Sequence, residues 1–471
     1  MKKWIFLVYI LPLLFFSCDL FSALQDLREG EFWALNFRSN KYYRLNADLV
    51  KEGEYCQIWL ETGHFLDPII IQELARAFDE EIYPSLIKYF SLGKINYSGR
   101  EFSNTMEFAD WLGNHDGKLT ILLLDIKDNY EKDVYDSYTA GYFISNDLFH
   151  SLPYSNKRDM IYIDIDPGIV PNIDPKETNL TMVYKTLMHE AQHLMNYASR
   201  VAKNRAVDTW INEGLSLAAE YVYSGIHSFD RIHWFFTNGM DSNSNERGLI
   251  NKGNNFFVWN NRTDESPYAV LDDYATAYMF FIWLYRQAGD FSVYKDIFSS
   301  DHGDYRAVLN AINNSFGNSG SAFPNWEALL KTWLAANYIN AEDSVYGYRG
   351  YFDYEFQNEG VPVMSAPEPH IQLFPGEGVY SSIQPKGFSA SSPSGNIKYT
   401  SLIVNPAAGK FIDDDEFAEG NILLTYNAGL SGRTSIEGET TGFAPAKNII
   451  RMRSFISMPP VTGPLRVGPG E

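Results

Sequence analysis

The stretch TMVYKTLMHEAQHLMNYAS, residues 181–199, constrains this chain more than any other. Its apolar residues recur at helical spacing, and on such a helix His189 and His193 lie on one face about one turn apart. Two imidazoles so placed can converge on one metal ion. Glu190 sits one step round from His189, beside the ion rather than on it, where it can hold and deprotonate a water. The competing reading is a core helix whose histidines hydrogen-bond internally. A second segment, DTWINEGLSLAAEYV, bears on the choice. It starts at Asp208, an N-cap residue type, and keeps helical apolar spacing through Trp210, Leu217 and Tyr221. Glu213, twenty positions after His193, is then available as a third ligand. Taken alone it could be an exposed helix carboxylate. With the two histidines it leaves a fourth zinc position for water, which is the arrangement of a catalytic rather than a closed structural site.

Around these helices the chain reads as α+β. FWALNF, KYYRLNADLV and YCQIWLE, between Phe32 and Glu61, alternate as short strands and suggest a small N-terminal β-rich segment, 18–64. Asp67 and Pro68 open a helix. KLTILLLDI is nearly continuous in apolar residues, as a central strand would be, and DMIYIDI reads as a strand preceding the HEAQH helix. Helical spacing follows near 208–223, 274–288, 304–315 and 325–339. Past about residue 345, loop-like runs alternate with short strands (IKYTSLIV, NILLTY, NIIRMRSFI). The expected organisation is a two-lobed domain over 65–345, α/β to about residue 200 and helical after it, followed by a C-terminal β-rich module, 346–471.

The first residues carry a different signal. Met1-Lys2-Lys3 is a short basic region, and Trp4 to Phe16 is almost wholly apolar yet short for a membrane span. Cys18 follows Ser17 at the end of that run, which resembles a bacterial lipoprotein signal, residues 1–17, with Cys18 as the lipidated residue. Phe15 and Phe16 depart from the strict pattern, and an ordinary secretory signal is the alternative. The expectation is an exported protein of the bacterial cell envelope, anchored by lipid at Cys18, or else secreted. With Cys18 lipidated, Cys56 has no intrachain partner for a disulfide. The net charge of -21 excludes nucleic acid as a partner, since phosphates would be repelled. Oligomeric state is not encoded in any pattern found.

HEAQH followed at this distance by WINEG resembles the gluzincins, metallopeptidases whose zinc ligands are two histidines and a glutamate. Within that group HEAQHLMNY with TWINEGLSLAAEY is most similar to the hyicolysin family of secreted bacterial peptidases. The likeness runs from about Leu119 to Tyr338 and takes in GYFISNDLF, DMIYIDI, YATAYMFFIWLY and WEALLKTWLAANYI. It implies a gluzincin-like two-lobed fold, zinc held by His189, His193 and Glu213, Glu190 as general base, and a protein or peptide substrate. It also implies an oxyanion donor on a later helix. DDYATAYMFF is the matching region, and Tyr274 takes the donor's position, with Tyr278 one turn further on the same face; a packing role for either tyrosine is the plain alternative.

Two departures matter. Thermolysin-like enzymes carry an Asp four residues after the ligand glutamate, and here that place is Leu217. Glu220, on the same helix face, is the candidate to supply this supporting carboxylate, or else faces solvent. The G-x-M-E-N motif of zinc aminopeptidases is not found upstream, which favours an endopeptidase over an aminopeptidase. A non-catalytic binding lipoprotein on the same scaffold is the remaining rival. The expected mechanism pairs an extended substrate with an edge strand, for which DMIYIDI is the candidate. His150, His227 and His233 are candidates to approach the site, though lone histidines are more often surface or core residues. Asp413 to Glu416 reads as a solvated acidic turn, lacking the spacing of a calcium loop.

Overall fold

A computed structural model describes residues 27–131, 138–169, 180–237, 269–316 and 323–351, and in the C-terminal part 361, 363–365, 373, 375–383, 396–405, 410–414, 421–430 and 451–455. Cys18 and the apolar leader lie outside the described residues, as do Glu416 and its neighbour Asp415. The chain divides into two compact units, residues 1–202 with 441–456, and residues 203–440 with 457–471. No helix among the described residues is long and apolar enough to cross a membrane.

In the first unit β1 (Glu31–Asn36), β2 (Lys41–Glu52) and β3 (Cys56–Glu61) form an antiparallel meander. Helix α1 (Pro68–Ala77) starts where its sequence says it should. The Asp67 side chain accepts the Ile69 N–H at 2.9 Å, and Pro68 occupies the first turn, where no donor is needed. A π-helical turn at Phe78–Ile82 leads into α2 (Tyr83–Tyr89). The hairpin of β4 (Ile95–Tyr97) and β5 (Arg100–Phe102) turns on Ser98 and Gly99, both at positive φ. Then come α3 (Thr105–Leu112), β6 (Leu119–Leu124), β7 (Thr139–Ile144), β8 (Met160–Asp164) and the long α4 (Leu180–Lys203).

The sheet runs β1, β2, β3, β6, β8, β7 and a last strand at Arg451–Phe455. All six residues of β6 are buried, which suits its central place with β3 and β8 parallel on either side. Three sequence expectations differ from this arrangement. The strands at 31–61, set apart as a segment of their own, continue through β3 into the sheet of β6, a pairing between distant segments that local alternation does not disclose. DMIYIDI does not lie at an edge: β8 sits between β6 and β7 and has no open side for a substrate strand. Likewise NIIRMRSFI, read with the C-terminal module, contributes residues 451–455 to this sheet, antiparallel to β7.

The second unit holds α5 (Thr209–Ser224), α6 (Phe229–Thr237), α7 (Ala269–Ala288), α8 (Ser292–Ser299), α9 (Tyr305–Ser315) and α10 (Trp326–Ile339). The helical segments expected from sequence match these within a residue, except that α7 starts five residues earlier. A second sheet combines β9 (Val363–Met364), β10 (Gly378–Ser382), β11 (Ile397–Asn405), β12 (Lys410–Asp414) and β13 (Ile422–Asn427) in the order β12, β11, β13, β10, β9. It belongs to the same unit as the helices rather than standing apart after residue 345. A Cβ on Gly378 would meet Leu334 at 2.8 Å, so β10 lies directly against α10, and Tyr426 donates to Glu327 Oε1 at 3.1 Å.

One polar network stands inside the first unit beside the core of Phe32, Trp59, Leu122, Tyr142 and Tyr162. Asp147, 1% exposed, accepts from Tyr162 Oη at 2.7 Å and from Asn156 Nδ2 at 2.9 Å, and Asn156 Oδ1 in turn accepts the Trp33 N–H at 2.7 Å. Burial pushes the Asp147 carboxyl up to about 7, against the pull of its hydrogen bonds. The native state therefore holds the proton more tightly than the unfolded chain, whose value is near 3.8. That contribution to stability is full below the unfolded value and is lost as pH rises through about 7. Denaturant titrations across this window should show the wild type losing a few kcal/mol from this group alone, and Asp147→Asn should flatten the slope; an unchanged slope would refute the assignment.

Candidate active site

Helix α4 brings its polar residues inward. His189 and Glu190 are 0% exposed and His193 is 1% exposed, on a helix that buries most of its middle turns. Close approach to the sheet is possible because β7 has a glycine opposite them. A Cβ on Gly141 would stand 2.8 Å from Thr186 Cγ2 and 3.1 Å from Glu190 Cγ. Sequence reasoning passed over Gly141, although an isolated glycine inside a strand pattern is a recognised sign of close backbone approach.

Glu213 comes from α5, where it is 2% exposed. The residue after it explains the glycine of WINEG. A Cβ on Gly214 would fall 2.1 Å from the Phe281 ring, so only glycine lets α7 pack this closely on α5 beside Glu213. Trp210 meets Phe280, Phe281 and Trp326 in the same aromatic core. The start of α5 is fixed by the segment after α8: Arg205 donates to the carbonyls of Phe298 and His302 at 2.7 and 2.9 Å, and the Asp208 N–H donates to Gly303 O at 2.7 Å. Asp208 occupies the N-cap position with extended backbone, but its side chain makes no capping hydrogen bond.

One ligand atom from each of His189, His193 and Glu213 lies within 4.8 Å of the other two. The two Nε2 atoms are 3.1 Å apart and the rings are nearly perpendicular, at 81°. Two nitrogens about 2.0–2.1 Å from a tetrahedral zinc would stand roughly 3.3 Å apart, so the pair is spaced as ligands to one ion. The donor set also fits chemically, with two imidazole nitrogens and one carboxylate oxygen, all buried.

The supporting residues are placed differently from one another. Glu220, two turns after Glu213, does not face solvent: it is 3% exposed and accepts from Arg231 at both oxygens, at 2.6 and 3.2 Å. Burial works against the charge on Arg231, and Glu220 more than offsets it, so the guanidinium is held above its usual value. The Tyr278 hydroxyl accepts the Ser228 N–H at 3.0 Å and shares a hydrogen bond with His227 Nδ1 at 2.9 Å. Burial pushes it well above the ordinary tyrosine value. Tyr274, one turn earlier on α7, is 3% exposed. His227 stacks on Tyr221, and His150 Nε2 bonds Gly113 O at 2.6 Å, so both histidines have employment of their own. The His233 side chain lies outside what is described.

Two imidazoles and a carboxylate, each offering one atom, form a group that could hold a metal ion. Over 297 residues the chain is 30% identical to the "Neutral metalloprotease ShpI" of Staphylococcus hyicus, a match that covers 62% of this chain and 59% of that protein. The chain thus spans about three fifths of the relative's length. No family model matches the chain.

The Glu220–Arg231 pair yields a direct test. Arg231→Met leaves a carboxylate buried without its cation and should destabilise the chain by about 3–5 kcal/mol, while the double change Glu220→Gln with Arg231→Met should recover most of that loss. Urea denaturation of Arg231→Met, Glu220→Gln and the double variant checks it, and additive losses would sink the coupling.

Proposed function

We propose that the chain is a zinc-dependent endopeptidase of the gluzincin type, similar to the hyicolysin family, acting on extracellular or periplasmic proteins or peptides. We further propose that it is exported and anchored at Cys18. The observation that carries the reading is the meeting of His189, His193 and Glu213 within 4.8 Å, with Glu190 buried on the same helix. The similarity to a neutral metalloprotease supports it.

Zinc held by these three residues would supply Lewis acidity to the scissile carbonyl and lower the pKa of an attacking water. Glu190 is the residue to take the proton from that water and deliver it to the leaving amine. Glu190 is buried, with Gly141 opposite its side chain, which keeps the carboxylate away from bulk solvent. Tyr274 is the residue proposed to donate to the oxyanion, on the resemblance to the gluzincins, while the Tyr278 hydroxyl is held by Ser228 and His227. A phenol hydrogen bond to developing charge in a dry site contributes a few kcal/mol. Glu220 supports the helix that carries Glu213 through its pair with Arg231. The missing G-x-M-E-N motif favours internal cleavage over removal of amino-terminal residues.

Metal analysis of the purified chain should give one zinc, lost in Glu213→Ala and kept in Glu190→Ala. The latter should cleave casein at least about 10²-fold more slowly. Unchanged zinc in Glu213→Ala would sink the ligand assignment. Zinc present in wild type and Glu190→Ala with no cleavage by either would favour a binding lipoprotein. Cleavage of amino-terminal amides without internal cuts in a blocked peptide would make the protein an aminopeptidase.

A further inference from the structure

The proposed chemistry leaves one buried carboxylate unexplained. Asp159, immediately before β8, is 1% exposed, and neither of its carboxylate oxygens has a hydrogen-bond partner. Its main chain is engaged, since the carbonyl accepts the Thr120 N–H at 3.0 Å. The carboxyl group faces the end of α3. A Cβ on Gly113, the residue closing that helix, would lie 3.1 Å from Asp159 Oδ1 and 2.4 Å from its nitrogen. The C-terminal end of a helix carries partial negative charge, so this carboxylate is set against the unfavourable pole.

The turn that follows adds oxygen rather than positive charge. Asn114 donates through Nδ2 to Asp116 Oδ2 at 2.7 Å, and its Oδ1 is buried without a partner. Asp110 accepts the Gly117 N–H at 2.8 Å through Oδ1, and Asp116 accepts the Lys118 N–H at 2.9 Å. The neighbouring cations turn elsewhere. Lys118 reaches Glu52 at 2.9 Å and Gly53 O at 2.7 Å, and Arg158 lies over the rings of Phe32 and Trp59. Burial first, then repulsion from Asp110, pushes the Asp159 carboxyl well above the carboxylate range. Burial first, with Asp116 adding to it, raises Asp110 as well. Both Asp159 oxygens are thus buried without a hydrogen bond to offset the loss of water.

We propose that Asp159, the Asn114 amide oxygen and Asp110 form a second metal site, for a hard divalent cation of the calcium class, separate from the zinc site. Calcium takes roughly six to eight oxygens and accepts amide, main-chain and water ligands among them. Magnesium, with its strict octahedron, suits the site less well. The cation would join the end of α3 to the start of β8, one of the strands beside the central β6.

The test uses the full chain stripped of calcium with EGTA, with zinc content read on every sample. Calcium chloride should raise Tm saturably, magnesium chloride much less, and calorimetric titration with calcium chloride should show one site. Asp159→Asn should abolish both responses with zinc content unchanged. Asp110→Asn, half-buried and tolerant, should weaken calcium binding severalfold and serves if Asp159→Asn does not fold. A wild type indifferent to calcium, with Asp159→Asn the more stable protein, would mean a proton only and overturn the proposal. So would a full calcium response in either variant. Because zinc is measured separately, failure here and failure of the zinc assignment are told apart.

Discussion

Helix α4 has to bury two imidazoles and a carboxylate on the side it turns to the interior, and most of the surrounding architecture follows from that requirement. Taking a carboxylate and two imidazoles out of water costs free energy that their surroundings must offset. A divalent ion bound there would contribute to that offset and couple metal binding to the stability of the folded chain. The geometry needs backbone to come close where side chains would intrude. Gly141 removes a Cβ opposite Thr186 and Glu190, and Gly214 removes one opposite Phe281. Each glycine weakens its own element slightly, by roughly 0.5–1 kcal/mol relative to alanine, and each sits beside a residue of the proposed chemistry.

The third proposed ligand depends on longer-range devices. Glu213 can hold one place only if α5 starts at a fixed point, and that point is set by hydrogen bonds from Arg205 and Asp208 to the segment 298–303. Gly303 has a Cβ position only 1.8 Å from Ala206 O, so the two segments touch main chain to main chain. Further along, Glu220 locks α5 to α6 through Arg231, and Tyr278 ties α7 to the turn before α6. Helix α5 is thereby fixed at its start and near its end.

The sequence made HEAQH and Glu213 readable because helical period is a local property and each letter of the motif has a chemical duty. Helices α5, α7, α9 and α10 were legible for the same reason, while the short α6 and α8 were not. Partners across the chain were not. Nothing in YCQIWLE announces that Cys56–Leu60 will lie parallel to Leu119–Leu123, and nothing in NIIRMRSFI announces β7 as its neighbour. Glu220 could be placed on the face of Glu213, yet its partner Arg231 carries no motif. Asp159 was read only as the first letter of a strand, since burial without hydrogen bonds is a property of the folded molecule.

Glu220 and Tyr278 also show why a shared helix face is a weak guide to shared chemistry. Each lies at helical spacing from a residue of the proposed site, Glu213 in one case and Tyr274 in the other. Each is committed to α6 or to the turn before it, through Arg231 and through Ser228 and His227. A buried ion pair adds little net stability over an apolar pair of the same shape, because desolvation consumes the Coulomb gain. What it supplies is geometry: a bidentate guanidinium accepts few orientations of its carboxylate. The Tyr278 hydroxyl, taken up by a main-chain N–H and an imidazole, fixes the neighbouring turn of α7 in the same manner. The residues one or two turns away from the proposed chemistry thus act by holding its helices in place.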